Sequence, residues 1–139
     1  RYIFDASHLH GFGTLSNRLE NDTFSLEYRG EWIRGKPEGA GWRYYRNGDV
    51  YFGFWKRGQR HGFGKMWYNG NRYEGHWEED VKQGLGRFYH MHTGQLQEGC
   101  WLDNFSNFIQ IKILNNQYKL FQNKLHLFHI CRIKLLFTF

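Results

Sequence analysis

The sequence predicts an all-β chain, built as an elongated single-layer antiparallel meander of stacked hairpins. Three observations predict it. Tryptophans recur at Trp32, Trp55, Trp77 and Trp101, a spacing of 23, 22 and 24 residues, and a period in the low twenties marks a repeat array. In phase with them stand Tyr28-Arg29-Gly30-Glu31-Trp32, Tyr51-Phe52-Gly53-Phe54-Trp55, Tyr73-Glu74-Gly75-His76-Trp77 and Gln97-Glu98-Gly99-Cys100-Trp101, whose fixed positions fall on every second residue, the period of a strand. Glycine pairs at Gly39/Gly41, Gly62/Gly64 and Gly84/Gly86 keep the same phase, and glycine at this density disfavours helix.

Taken in order, residues 1–27 hold a partial or irregular copy: His10-Gly11-Phe12-Gly13 matches His61-Gly62-Phe63-Gly64, but in that phase Phe4 stands where Trp55 does and Tyr2 where Gly53 does. A longer loop is expected within Ser16 to Phe24. Arg1 stands in place of a methionine, so the chain is read as a fragment from which upstream repeats are missing, and no charged-then-apolar leader suggests secretion.

The regular array follows as repeats at 28–50, 51–72 and 73–96, with 97–104 opening a further one. In each strand Tyr, Gly and Trp share one face and the residues between them share the other. The fixed face is predicted to pack and the varying face to be wet. Each glycine leaves space for a neighbouring ring, and burying such a ring contributes roughly 2–3 kcal/mol. The repeat core is therefore predicted as Tyr28, Gly30, Trp32, Tyr51, Gly53, Trp55, Gly62, Gly64, Tyr73, Gly75, Trp77, Gly84, Gly86, Gly99 and Trp101. Lys56 to Arg60 reads as a connection of more than two residues, followed by a strand from about Gly62 to Tyr68. Asn47-Gly48 and Asn69-Gly70 both read as two-residue turns with positive φ. Pro37 is placed in a turn beside Gly35, where a missing amide does little harm. The third copy carries a longer turn over His90 to Gly94.

Residues 105–139 form a non-repeat tail. No Gly, Asp, Glu or Trp occurs after Asp103, and five of the nineteen basic residues lie there. The array is thus almost neutral and the basic excess belongs to the tail. Two origins fit such a bias: non-coding sequence read through as protein, or a basic amphipathic helix on which Leu120, Phe121, Leu125 and Phe128 share a face.

The pattern Tyr-x-Gly-x-Trp, a turn Gly, then His-Gly-x-Gly, seen from Tyr51 to Gly64, resembles the MORN (membrane occupation and recognition nexus) repeat. The resemblance spans about residues 8–104. Within the family, residues 47–104 resemble one animal member in particular, through Asn-Gly-Asn-Arg-Tyr-Glu-Gly at 69–75 and Gly-Gln-Leu-x-Glu-Gly-x-Trp at 94–101.

Other constellations read as structural. His8/His10 and His90/His92 each offer alternate imidazoles without a thiolate or carboxylate at ligand spacing, so no metal site is predicted, and no cofactor. Cys100 and Cys131 are the only cysteines, which makes neither a zinc ribbon nor a disulfide scaffold and suits a reducing cytoplasm. The Gly-x-Gly pairs recur in every copy and lack the Lys-Ser/Thr of a phosphate loop. No nucleophile, base or carboxylate pair suggests catalysis, and Glu78, Glu79 and Asp80 read as a solvated turn. Aromatics interleaved with cations resemble single-strand nucleic-acid platforms, but a nearly neutral array argues against nucleic acid.

The expected function is a non-catalytic scaffold for other proteins. Resemblance to the family implies work at membrane junctions, cytoskeleton, cilia or flagella, and the closer match implies spermatogenesis, with the acrosome or flagellum as places. Two alternatives remain open. One is a module for phosphoinositide or other anionic membranes, with Lys56, Arg57 and Arg60 as lipid contacts; the other is the repeat portion of an enzyme whose catalytic domain lies elsewhere. The oligomeric state is left open.

Overall fold

The computed structural model describes residues 9–113 and 117–120, with side chains over 9–105. Ten strands form one antiparallel sheet in strict sequence order. They are β1 (Gly11–Arg18), β2 (Phe24–Ile33), β3 (Lys36–Tyr44), β4 (Val50–Lys56), β5 (Gln59–Tyr68), β6 (Asn71–Glu78), β7 (Val81–His90), β8 (Gln95–Leu102), β9 (Phe105–Ile113) and β10 (Gln117–Leu120). Every strand pairs with its sequence neighbour, so the predicted all-β meander is the fold.

One row of glycines crosses the sheet. Gly13, Gly30, Gly41, Gly53, Gly64, Gly75, Gly86 and Gly99 are successive register partners from β1 to β8. Over this row lie the tyrosines Tyr28, Tyr51 and Tyr73, each at 0 % exposure. Each ring is clamped edge-on between two tryptophans, its own and that of the next repeat. Tyr28 sits 4.9 Å from Trp32 and 5.5 Å from Trp55, Tyr51 sits 5.1 Å from Trp55 and 5.5 Å from Trp77, and Tyr73 sits 5.3 Å from Trp77 and 5.1 Å from Trp101. A single layer thus acquires a core without a second layer: each repeat covers its predecessor with a ring.

The polar ends of the three tyrosines and of Trp55 and Trp77 are satisfied inside the same lattice, whereas the buried Trp32 Nε1 has no hydrogen-bond partner there. Tyr28, Tyr51 and Tyr73 donate their hydroxyls to the carbonyls of Glu31, Phe54 and His76 at 3.0–3.1 Å. Trp55 Nε1 donates to the Gly41 carbonyl and Trp77 Nε1 to that of Gly64, at 3.2 and 3.3 Å. Burial raises all three tyrosine pKa values, that of Tyr28 to about 12.

Several expectations are corrected. The connection after Trp55 is a two-residue turn, Arg57-Gly58, with φ of 51° and 82°, and β5 starts at Gln59 rather than Gly62. The residues assigned to a longer loop are taken up instead by a bulge: Phe54 alone spans the register interval that His61, Gly62 and Phe63 fill on β5. Asn69-Gly70 is the two-residue turn expected, with φ of 49° and 69°, but at Asn47-Gly48 only the glycine has positive φ. There the loop runs from Tyr45 to Asp49, closed by Tyr45 N–H to the Asp49 carbonyl at 2.9 Å. Pro37 lies within β3, opposite Trp32, not in a turn. Residues 105–113 and 117–120 are strands, so the helical alternative fails at Leu120, while Phe121, Leu125 and Phe128 lie outside the described residues, as do Tyr2 and Phe4. The expected loop before Phe24 covers Leu19 to Thr23.

Candidate interaction surface

Strand alternation gives the sheet a second, open face. Its central row runs through the register partners Thr14, Arg29, Trp42, Phe52, Lys65, Glu74, Arg87 and Glu98. The row has two halves. At β3 to β5 the rings stack: Trp42 lies 4.3 Å from Phe52 at 24°, and 6.2 Å from Trp67 at 11°. From β5 to β8 it is ionic: Lys65 and Arg72 meet Glu74 at 3.5 and 3.1 Å, and Arg87 meets Glu98 at 3.0 Å. The varying face is therefore not uniformly wet, as the sequence suggested. Trp42 and Trp67 lie outside the repeating Tyr-Gly-Trp phase, and only the register brings them onto one face, where Trp42 stacks with both Phe52 and Trp67.

Beside the stack, Phe54 and Phe63 are 53 % and 45 % exposed, and Phe12 and Leu85 are exposed further out. All four lie outside the buried core, although Phe63 meets the His76 ring edge-on at 6.1 Å and Arg29 lies 5.9 Å from the Phe12 ring centre, and large apolar side chains gathered on one sheet face mark a contact surface. At the Asn69-Gly70 end, an open cleft of about 530 Å³ lies between Asn47, Asp49, Trp67, Arg72 and Met91.

The opposite end of the hairpins forms a ridge of four two-residue turns: Arg34-Gly35, Arg57-Gly58, Glu79-Asp80 and Asp103-Asn104. All eight residues have positive φ, between 47° and 82°. Each turn docks on the preceding repeat, since Gly35, Gly58, Asp80 and Asn104 donate their amides to the carbonyls of Leu9, Pro37, Arg60 and Lys82 at 2.9–3.1 Å. Side chains reinforce three of these docks: Glu38 accepts from the Arg57 amide at 2.7 Å, Asp80 from the Arg60 amide at 2.9 Å and Asn104 from the Lys82 amide at 2.8 Å.

This ridge separates the three cations proposed as lipid contacts. Lys56 and Arg57 are exposed. Arg60 is not free to meet a headgroup: its Nε lies 3.0 Å from Asp80 Oδ1, a terminal nitrogen donates to the Asp80 carbonyl at 2.8 Å, and its guanidinium lies 4.4 Å from the Trp77 ring centre. Asp80, expected in a solvated turn, is Arg60's partner. Lys82, which the sequence did not single out, holds the equivalent place one repeat on. Its Nζ faces Tyr68, Tyr73 and Phe88 at 4.7, 4.9 and 5.4 Å and donates to the Tyr68 hydroxyl. Burial, with the Arg60 charge adding, lowers its pKa to about 8, and the three ring faces oppose that shift. Sequence reasoning could have found Lys82 by aligning the residue four after each tryptophan's turn-side neighbour, where Arg60 and Lys82 correspond.

Of the predicted core, all members from Tyr28 to Trp101 lie on the packed face except Gly62 and Gly84, which stand in the bulges opposite Trp77 and Trp101. Among the described residues no group of three His, Cys, Asp or Glu side chains is placed to hold a metal ion. His90 contacts Gln97 at 3.2 Å, and His92 is exposed beside Gly70. Cys100 is buried and is disulfide-bonded rather than a free thiol, which corrects the expectation that the cysteines are not used in a disulfide.

No curated protein matches the chain. A family model of the MORN repeat matches residues 28–50, 51–72 and 73–90. Each matched stretch contains one strand with the Tyr-Gly-Trp face and the bulged strand, or most of it, that follows. Over residues 28–90 the chain is therefore similar to three consecutive MORN repeats.

Proposed function

We propose that the chain is a protein-interaction scaffold whose open face takes the partner. The observation that carries this reading is the aromatic surface of β3 to β5, where Phe54 and Phe63 stand 53 % and 45 % exposed on the face on which Trp42 stacks with Phe52 and Trp67. Residues 47–104 resemble MORN repeat-containing protein three of animals, and that resemblance supports a place in male germ cells, in the acrosome or flagellum, or in cilia. A membrane-binding reading is favoured by a different observation: Arg34, Lys36, Lys56 and Arg57 are exposed on the first two turns of the ridge.

The two readings use different surfaces, so one experiment separates them. Affinity capture from ciliated or germ-line tissue is compared with co-sedimentation on vesicles containing phosphoinositide. A scaffold loses the partners of its open face in Phe54→Lys/Phe63→Lys and keeps them in Lys56→Glu/Arg57→Glu. Salt-sensitive vesicle binding abolished by the second variant and untouched by the first would replace the scaffold with the membrane module.

A further inference from the structure

The charge along the turn ridge reverses halfway. Turn one carries Arg34 and Lys36, turn two Lys56 and Arg57, turn three Glu78 and Glu79, and turn four Asp103. Asp80 is committed to Arg60, but none of the side chains just named enters an ion pair among the described residues. All but the half-buried Glu78 are exposed. The ridge ends are apolar: Ile33 is 45 % exposed at turn one, and Phe105 is 78 % exposed at turn four.

From this pattern we infer that the ridge is a self-complementary interface, occupied by the ridge of a second copy running antiparallel. Successive turns are one hairpin apart, about 10 Å at the usual strand spacing, and the strand order sets them in sequence along one end of the sheet. Reversing that order about its midpoint, between turns two and three, sets turn one against turn four and turn two against turn three. Lys56 and Arg57 then meet Glu78 and Glu79 of the second copy, and Arg34 and Lys36 meet its Asp103. Ile33 meets Phe105 at both ends. A parallel alignment would set like charge on like, so the pattern selects the two-fold arrangement, in which every contact occurs twice. Exposed ion pairs contribute little singly. The dimer is therefore weak, and its dissociation constant rises at least about tenfold between about 50 mM and about 500 mM salt.

This inference rests on the reading of the array as a protein-binding scaffold and names a second copy as one of its partners. The test uses the full chain and exchanges residues already present at equivalent sites. Arg57 and Glu79 occupy the same turn position at φ of 51° and 47°, so each turn accepts the other's residue. In sedimentation equilibrium at low salt, the parent should exceed its monomer mass of 16.9 kDa in a concentration-dependent way. Lys56→Glu/Arg57→Glu and Glu78→Lys/Glu79→Arg should each stay monomeric. Their equimolar mixture should recover the dimer, and so should the chain carrying all four changes, because both restore complementarity. Zero-length carbodiimide coupling of the unmodified chain should join Lys56 to Glu78 or Glu79 between molecules, a readout that needs no variant. A parent that stays monomeric, reversed variants that still dimerise, or an absence of those cross-links overturns the inference. A monomer whose open face still takes partners leaves the scaffold reading standing, and a monomer that takes none sinks both.

Discussion

Gly62 and Gly64 are two residues apart and recur together, yet they answer to different physics. A Cβ on Gly64 would lie 2.5 Å from Cε2 and Cζ of Tyr51, whereas one on Gly62 would meet only Phe54 Cβ, at 3.6 Å. Gly62 is required instead by its φ of 74° in the bulge. Gly62→Ala should therefore cost about 1–2 kcal/mol, the penalty of a left-handed backbone. Gly64→Ala should cost about 3 kcal/mol or more, as an overpacked and unyielding core does. Chemical melts that rank the two the other way would mean that the Tyr51 ring can move aside. The same rings set the response to pH. Above about pH 10 the unfolded tyrosines ionise while the folded ones, with raised pKa values, keep their protons, so stability falls as pH rises towards about 12. Lys82 acts in the opposite sense. With its pKa lowered from 10.5 to about 8, the folded chain has released a proton that the unfolded chain still holds, and stability rises with pH over that window. The melting temperature should thus climb from about pH 8 and turn over near pH 10, and Lys82→Met should flatten the climb while leaving the fall.

At the scale of the hairpin, the sequence disclosed strand faces well and connections poorly. Tyr28, Tyr51 and Tyr73 repeat in phase with glycine and tryptophan, so a period of two sufficed to place them together. Turn chemistry carries a weaker signal. Arg57-Gly58, Glu79-Asp80 and Asp103-Asn104 share one backbone shape with little shared composition, because docking on the previous repeat holds Arg57 and Glu79 in a conformation that neither prefers. The bulge hid the rest: it absorbs residues into β5 that look like loop when counted from Trp55. The open face was legible only in part, since Trp42, Phe52 and Trp67 belong to three strands and meet through register. The docking claim has its own test. Asp80→Ala removes the acceptor of the Arg60 amide and Nε and should cost about 1–3 kcal/mol. Hydrogen exchange should then speed at the Arg60 amide and the β6–β7 turn while β2 and β3 stay protected. A uniform increase across the sheet would mean that the repeats do not open separately.

For the molecule as a whole, pairing is confined to neighbours: the strands pair in sequence order from β1 to β10, and the tryptophans that each of Tyr28, Tyr51 and Tyr73 meets are those of its own repeat and the next. Stability in such an array is close to a sum over repeats and the interfaces between them, and the ends are its weakest points. Removal of residues 105–139 tests this directly. It deletes β9 and β10 and turns β8 into an edge, but leaves Trp101 in place against Tyr73. The loss of amide protection should be graded, largest in β8, smaller in β7 and absent by β4, and the truncated chain should remain folded with a lower denaturation midpoint. The new edge exposes unpaired backbone groups and should raise the tendency to aggregate. Cooperative unfolding of the truncated chain, with β2 to β4 losing protection together with β8, would show that the strands after Asn104 stabilise the array as a whole rather than its last repeat alone.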